Sequence, residues 1–250
     1  MKIGFVSDIH EDINNLQNAF RTLEEKKCDQ IICLGDIVGF AIPFYKNITE
    51  RDAESCVKLI RENCQHTVVG NHDLFAIRKV PTNKAGFNYK ENWYQLEYEK
   101  RASLSRKKIW LYEDNEIPCV LSDKSQEFLY DLEEYQTLEI KQKKIFISHF
   151  CYPDFTGSHI HFPSEAFHLR NHFQFITKLG CNISFSGHGH PEGALVTNCD
   201  KISNRGFGKY SLLDESLWIV APAVARTSRK NGVMIIDIDL MELQIIPLTY

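Results

Sequence analysis

The stretch Lys2-Ile3-Gly4-Phe5-Val6-Ser7-Asp8-Ile9-His10 runs from a mostly apolar segment straight into a carboxylate and an imidazole two positions apart. An apolar run of this length reads as a buried strand. In α/β sheets ligands gather just beyond the carboxyl ends of the strands, which is where Asp8 and His10 stand. The same grammar recurs outward along the chain. Gln30-Ile31-Ile32-Cys33-Leu34 ends at Gly35-Asp36, and Thr67-Val68-Val69 ends at Gly70-Asn71-His72-Asp73. Lys144-Ile145-Phe146-Ile147-Ser148 delivers His149, and Asn182-Ile183-Ser184-Phe185-Ser186 delivers Gly187-His188-Gly189-His190.

Taken singly, each motif has a bland reading. Asp8-x-His10 alone is a solvated strand end, Gly70-Asn71 alone a turn, and His149 alone a core or surface histidine. Coincidence would have to recur at five successive strand ends, so the joint pattern outweighs those readings. Carboxylates, imidazoles and a single amide suit borderline divalent cations such as Mn, Fe(II), Zn or Ni, which accept both nitrogen and oxygen donors. That donor set points to a hydrolase.

With these motifs in this order, the chain resembles the calcineurin-like metallophosphoesterases. The phrases Ser7-Asp8-Ile9-His10, Cys33-Leu34-Gly35-Asp36-Ile37-Val38-Gly39 and Val69-Gly70-Asn71-His72-Asp73 are most similar to the small bacterial and archaeal phosphodiesterase branch. The resemblance covers nearly the whole chain. It implies that Asp8, His10, Asp36 and His190 hold one metal ion, and that Asp36, Asn71, His149 and His188 hold a second. A bridging carboxylate such as Asp36 offers lone pairs to both ions, roughly 3.5 to 4 Å apart in two-metal hydrolases. Asn71 would add a neutral oxygen and limit the negative charge that meets a phosphate ester. A water between two such ions loses a proton near neutral pH and attacks phosphorus in line. His72, which the ligand sets leave out, is the candidate general acid; its alternative role is to hydrogen-bond behind the ligands.

Three departures from the family pattern bear on substrate. The protein serine/threonine phosphatases carry Asp-Arg-Gly after the Gly-Asp motif, where this chain has Gly39-Phe40-Ala41. That removes a phosphate-gripping arginine and the carboxylate partner of the catalytic histidine, and argues against a protein phosphatase. Glu11 and Phe150 each stand where the branch has glycine, which makes both candidate substrate contacts. A Glu11 carboxylate facing the phosphate would disfavour dianionic monoesters; a Glu11 pointing away is the alternative. Ala221-Pro222-Ala223 replaces Asn-Pro-Gly-Ser.

The 250 residues, 43% hydrophobic and without a Gly/Ser/Pro-rich linker, predict one domain over residues 1–250. A net charge of −4 supplies no general attraction to polyanions, so no stable nucleic-acid complex is expected. A strand at the start and no apolar run of membrane-spanning length predict a soluble cytoplasmic protein with no membrane partner. The eight cysteines show no Cys-x-x-Cys spacing and read as buried reduced thiols. The oligomeric state stays open.

Leu16, Ala19, Phe20 and Leu23, and then Ala53, Cys56, Val57 and Ile60, recur at helical spacing. Thr49 and Asp52 read as a variant capping box for the second helix. A later helix is predicted over Ser164 to Leu179, stopped by Gly180. Strand-like runs at Tyr210 to Leu213, Leu217 to Ala221, Val233 to Asp239 and Leu243 to Leu248 predict hairpins in a second sheet. The middle, Arg78 to Gln142, reads as helices covering one side, with Lys100-Arg101 and Arg106-Lys107-Lys108 on solvated faces. His159 and His161 could reach the substrate mouth. His168 and His172, four apart, could form a metal pair but read as surface histidines without a third ligand in view. The fold expected is α/β, a four-layer αββα sandwich of two facing mixed β-sheets, as the family resemblance also implies. The function expected is a phosphodiesterase acting on a small or nucleotide-like phosphate ester. A phosphomonoesterase, a symmetric dinucleoside tetraphosphate hydrolase and a non-catalytic scaffold, the retromer subunit of this fold being one, are the alternatives.

Overall fold

The computed structural model describes residues 1–46, 48–213 and 215–248. β1 (Lys2–Val6) is buried at every position after Lys2, as its apolar run demands. α1 (Ile13–Glu25) buries Leu16, Ala19 and Leu23, and starts at Asp12, whose carboxylate accepts from Asn15 N at 3.2 Å. β2 (Gln30–Cys33) pairs in parallel with β1, placing Ile3 opposite Gln30 and Val6 opposite Cys33. After the short β3 (Phe40–Ala41), α2 (Ala53–Asn63) buries Ala53, Cys56, Val57 and Ile60. Its cap is Asp52, which accepts from Ser55 N at 2.9 Å. The box predicted from Thr49 does not form, because Ile48–Glu50 make a separate 3-10 turn.

β4 (His66–Thr67) and α3 (Asn71–Ala76) follow. The middle holds α4 (Tyr98–Ser105), β5 (Glu116–Ile117) and α5 (Asp123–Asp131), but most of residues 78–97 and 106–115 are irregular rather than helical. β5 pairs antiparallel with β3, Ala41 opposite Glu116. Arg101, expected in solvent, is buried: its guanidinium pairs with Glu113 and lies 5.6 Å from the centre of the Tyr94 ring.

β6 (Tyr135–Ile140) and β7 (Lys143–Ser148) form a hairpin. The predicted later helix is a 3-10 turn at Ala166–Leu169 running into α6 (Arg170–Lys178), with Gly180 beyond it at φ 80°. β8 (Ile183–Ser186), β9 (Ala194–Thr197), β10 (Ile202–Arg205), β11 (Gly208–Ser211), β12 (Leu217–Val220), β13 (Gly232–Asp237) and β14 (Glu242–Pro247) complete the chain.

Two six-stranded mixed sheets result, ordered β11-β14-β13-β1-β2-β4 and β10-β9-β12-β8-β7-β6. Ile3, Phe5, Ile32 and Leu34 from the first face Ile145, Ile147, Ile183 and Phe185 from the second, and Phe5 stacks on Phe185 with ring centroids 4.4 Å apart. α1 and α2 cover the outer face of the first sheet through Leu16, Val57 and Ile60, and α6 covers the second through Phe173 and Ile176. The four-layer α/β sandwich is therefore the architecture. The C-terminal strands do not make up the second sheet, however. β11, β13 and β14 extend the first sheet, with β13 antiparallel to β1, while β12 enters the second in parallel with β8. Pairing across the whole chain decides this, and local alternation carries no record of it. All eight cysteines are free; Cys199 is exposed. Among the described residues no helix is long and apolar enough to cross a membrane.

Candidate metal centre

The turns after β1, β2 and β8 share an unusual backbone. Asp8, His10, Asp36, His188 and His190 all have φ between 44° and 64°, a left-handed conformation that costs non-glycine residues energy and collects at functional sites. The turns brace one another. Asp8 N donates to Gly35 O at 3.0 Å, and Ile9 N and His10 N both donate to Asp36 O at 2.8 and 3.1 Å. The Asp73 carboxylate accepts from the backbone N–H groups of Asp36, Ile37, Val38 and Gly70 at 2.8 to 3.1 Å, tying the second turn to the third. Gly70 is required at this junction, since a Cβ there would lie 2.2 Å from Asp36 Oδ1.

Backbone carbonyls set the imidazoles. A carbonyl only accepts, so His10 Nδ1 donates to Gly39 O at 2.8 Å and His149 Nδ1 to Leu34 O at 2.7 Å, which leaves each Nε2 lone pair for the site. His190 Nε2 lies 2.9 Å from Asp8 Oδ1. Asp36 Oδ2 lies 3.0 Å from His149 Nε2 and 3.8 Å from His10 Nε2, between the two histidines. One ligand atom each from Asp8, His10 and His190 falls within 4.8 Å of the others, and the same holds for Asp36, His149 and His188. A third such group, His10, Asp36 and His72, shares residues with both, so the structure gathers the carboxylates and imidazoles of the two sets the resemblance implied into one cluster that also takes in His72.

The donors fit two divalent cations. Asn71 Oδ1 is buried without a hydrogen-bond partner among the described residues, and an orphaned buried polar atom costs roughly 1 to 3 kcal/mol unless something satisfies it. Asn71 Nδ2 is occupied, donating to Tyr112 Oη at 2.6 Å, so the amide oxygen is the end left free to ligate. Burial, with the charge of His72 for one and of His149 for the other, pulls His10 and His188 down to about 3, the neutral form that a metal needs. Burial also pulls His149 down, but Asp36 and Asp8 overcome it and lift this imidazole to about 10. The two carboxylates draw cationic charge strongly.

His72 stands beside this cluster with a partner that the motifs did not disclose. Its Nδ1 lies 2.6 Å from Glu116 Oε2, and its backbone N donates to Asp36 Oδ1 at 2.9 Å. Burial pulls the His72 pKa down, but the charges of Glu116 and Asp36 outweigh it and raise it to about 9. The carboxylate missing with Asp-Arg-Gly is therefore supplied from β5. Tyr112 packs on His72 at 4.5 Å between ring centroids, and Tyr45 stacks on His10 at 4.4 Å. No sequence signal marks Glu116, Tyr112 or Tyr45, which lie in stretches without periodicity.

Glu11 does not face an incoming phosphate: it is fully buried, with Oε2 2.7 Å from Arg51 Nε and Oε1 accepting from Gly39 N at 3.2 Å. Its φ of 64° explains why glycine suits the position. Phe150 is buried too and backs His188, with ring centroids 4.7 Å apart, so it supports a candidate ligand rather than lining the mouth. His172 is no surface residue. Its Nδ1 accepts from Tyr152 N at 3.0 Å and its Nε2 donates to Ser184 Oγ at 2.8 Å, which leaves nothing for a metal. His159 Nε2 lies 3.3 Å from Lys84 O and His161 packs on His168, outside the cluster.

The family model for calcineurin-like phosphoesterases matches residues 1–192. An uncharacterized protein of Methanocaldococcus jannaschii is 26% identical over 210 residues, covering 80% of this chain and 72% of that protein. Among solved structures, a metallophosphoesterase from Sphaerobacter thermophilus superimposes with a TM-score of 0.66 at 17% identity, over 100% of this chain and 89% of that one. A hypothetical protein from Pyrococcus horikoshii OT3 gives 0.60 at 14% identity, over 100% and 88%. At these identities the structural likeness concerns the fold.

Proposed function

The chain belongs to the calcineurin-like phosphoesterase family, and from that premise we propose that it is a binuclear metal-dependent phosphodiesterase, with residues 1–250 acting as one domain. The observation that carries this reading is the orphaned buried oxygen Asn71 Oδ1 beside the groups of carboxylates and imidazoles.

In this reading Asp8, His10, Asp36 and His190 hold one cation and Asp36, Asn71, His149 and His188 the other. Two divalent ions there would supply an activated water and offset charge on the phosphate. Glu116 fixes the His72 ring through Nδ1, so its Nε2 is the nitrogen that carries a proton for the leaving oxygen. The aromatic wall of Tyr45 and Tyr112 keeps water from the faces of His10 and His72. Arg51 is spent on Glu11 and does not grip a dianion, which favours a monoanionic diester over a monoester.

The test is metal removal. Chelated protein should lose hydrolysis of bis(p-nitrophenyl) phosphate and regain it with Mn, and should turn over p-nitrophenyl phosphate more slowly. Full activity after chelation, or no turnover in protein shown to contain metal, contradicts the proposal.

A further inference from the structure

The loop that carries His188 and His190 borders a second space. An open groove of about 530 Å³ is lined by Phe162, Gly189, Glu192, Leu195, Asn204 and Arg229, within the roughly 300 to 1,000 Å³ range of small-molecule sites. Gly189, which lines it, stands between the candidate ligands His188 and His190. An occupant of the groove therefore lies next to whatever the metal cluster holds.

Phe162 forms an apolar wall. A Cβ on Gly189 would come within 3.0 Å of Phe162 Cζ, so the ring lies directly on the ligand loop. It is nearly parallel to His188, with an interplanar angle of 19° and ring centroids 6.4 Å apart, and it packs on Phe150 at 5.3 Å. These neighbours hold the ring, yet it remains 37% exposed. A flat apolar group in the groove has a platform on which to stack.

Arg229 supplies the charge. Its Nη1 donates to His190 O at 2.8 Å, which ties the guanidinium to the ligand loop. It forms no ion pair among the described residues, so the rest of its planar fork can meet an anion, and guanidinium geometry matches phosphate oxygens. Glu192 lines the same space, with Oε2 accepting from Lys230 N at 3.3 Å. Asn204 adds an amide that can both donate and accept.

We propose that this groove is a nucleotide subsite, in which a nucleobase stacks on Phe162 and a second phosphate meets Arg229 while the scissile phosphate occupies the neighbouring metal cluster. The substrate class is then a phosphate ester or anhydride that carries a nucleoside diphosphate unit. This deepens the phosphoesterase reading above and rests on it.

Calorimetric titration of metal-loaded protein with ribose 5-phosphate, AMP and α,β-methylene-ADP separates the contributions. AMP should bind about tenfold tighter than ribose 5-phosphate, as base stacking on an aromatic ring gives, and α,β-methylene-ADP about tenfold tighter than AMP, as a guanidinium–phosphate pair gives. Phe162→Ala should erase the first step and Phe162→Tyr keep it; Arg229→Met should erase the second. Equal binding of the three ligands, or steps that survive these substitutions, overturns the subsite. Turnover of bis(p-nitrophenyl) phosphate by the same preparation keeps the two readings apart. Turnover with ungraded binding sinks the subsite alone, and graded binding without turnover sinks the enzyme reading alone.

Discussion

The His72 imidazole is held from two directions, by Glu116 at Nδ1 and by the Tyr112 ring on its face. If Glu116 positions this imidazole, Glu116→Gln should lower kcat by on the order of 100-fold for esters with alkyl leaving groups, with little change in KM. A nitrophenolate needs almost no proton, so its release should slow far less, and Glu116→Asp should restore part of the loss. An equal loss on both ester types would instead mean that Glu116 only supports the fold. The clustered carboxylates and imidazoles were legible in the sequence and Glu116 was not, for a physical reason. Asp8, Asp36 and His149 each follow an apolar strand that fixes their position locally, whereas Glu116 reaches His72 across 44 residues through the pairing of β5 with β3. Glu11 was misjudged in the same way. Its side chain is turned inward by a left-handed backbone and by Arg51, and neither leaves a local trace. Without Arg51 the buried Glu11 would be an uncompensated charge, which costs several kcal/mol.

At the scale of elements, α6 is pinned to its sheet by one neutral histidine. His172 accepts from Tyr152 N and donates to Ser184 on β8, and burial holds its pKa at about 3 against an ordinary value of 6.5. Because the folded state binds this proton more weakly than the unfolded chain, its contribution is fully present above pH 6.5 and is lost as the pH falls from there toward 3. The slope is about 1.4 kcal/mol per pH unit for one proton. Urea melts of metal-loaded protein between pH 7 and pH 5 should therefore show stability falling with acid, and His172→Gln should have a flatter profile as well as a lower plateau. Identical slopes in the two proteins would contradict this. The helices themselves were legible, since Leu16 to Leu23 and Ala53 to Ile60 keep strict spacing. The assignment of β12 to one sheet and of β13 and β14 to the other was not, because a strand's period of two shows which face is buried and not which neighbour it joins.

Across the whole molecule, the two sheets contribute to one centre. Asp8, His10, Asp36 and Asn71 come from the end of the first sheet, and His149, His188 and His190 from the end of the second. Each proposed ion therefore takes ligands from both sheets and joins layers that also meet through apolar contacts such as Phe5 on Phe185. Metal that binds only the assembled site must stabilise the fold by mass action, about 2.7 kcal/mol when free metal is a hundredfold above Kd. Asp36 is where this account is most exposed, because its Oδ2 lies between His149 and His10. The decisive measurement is metal stoichiometry, read by elemental analysis together with the melting temperature, in wild-type protein and in Asp36→Asn. The account predicts two divalent ions per chain and a metal-dependent rise in melting temperature for the wild type, and loss of both in the variant. An Asp36→Asn protein that retains two ions and the same metal-dependent rise would contradict it.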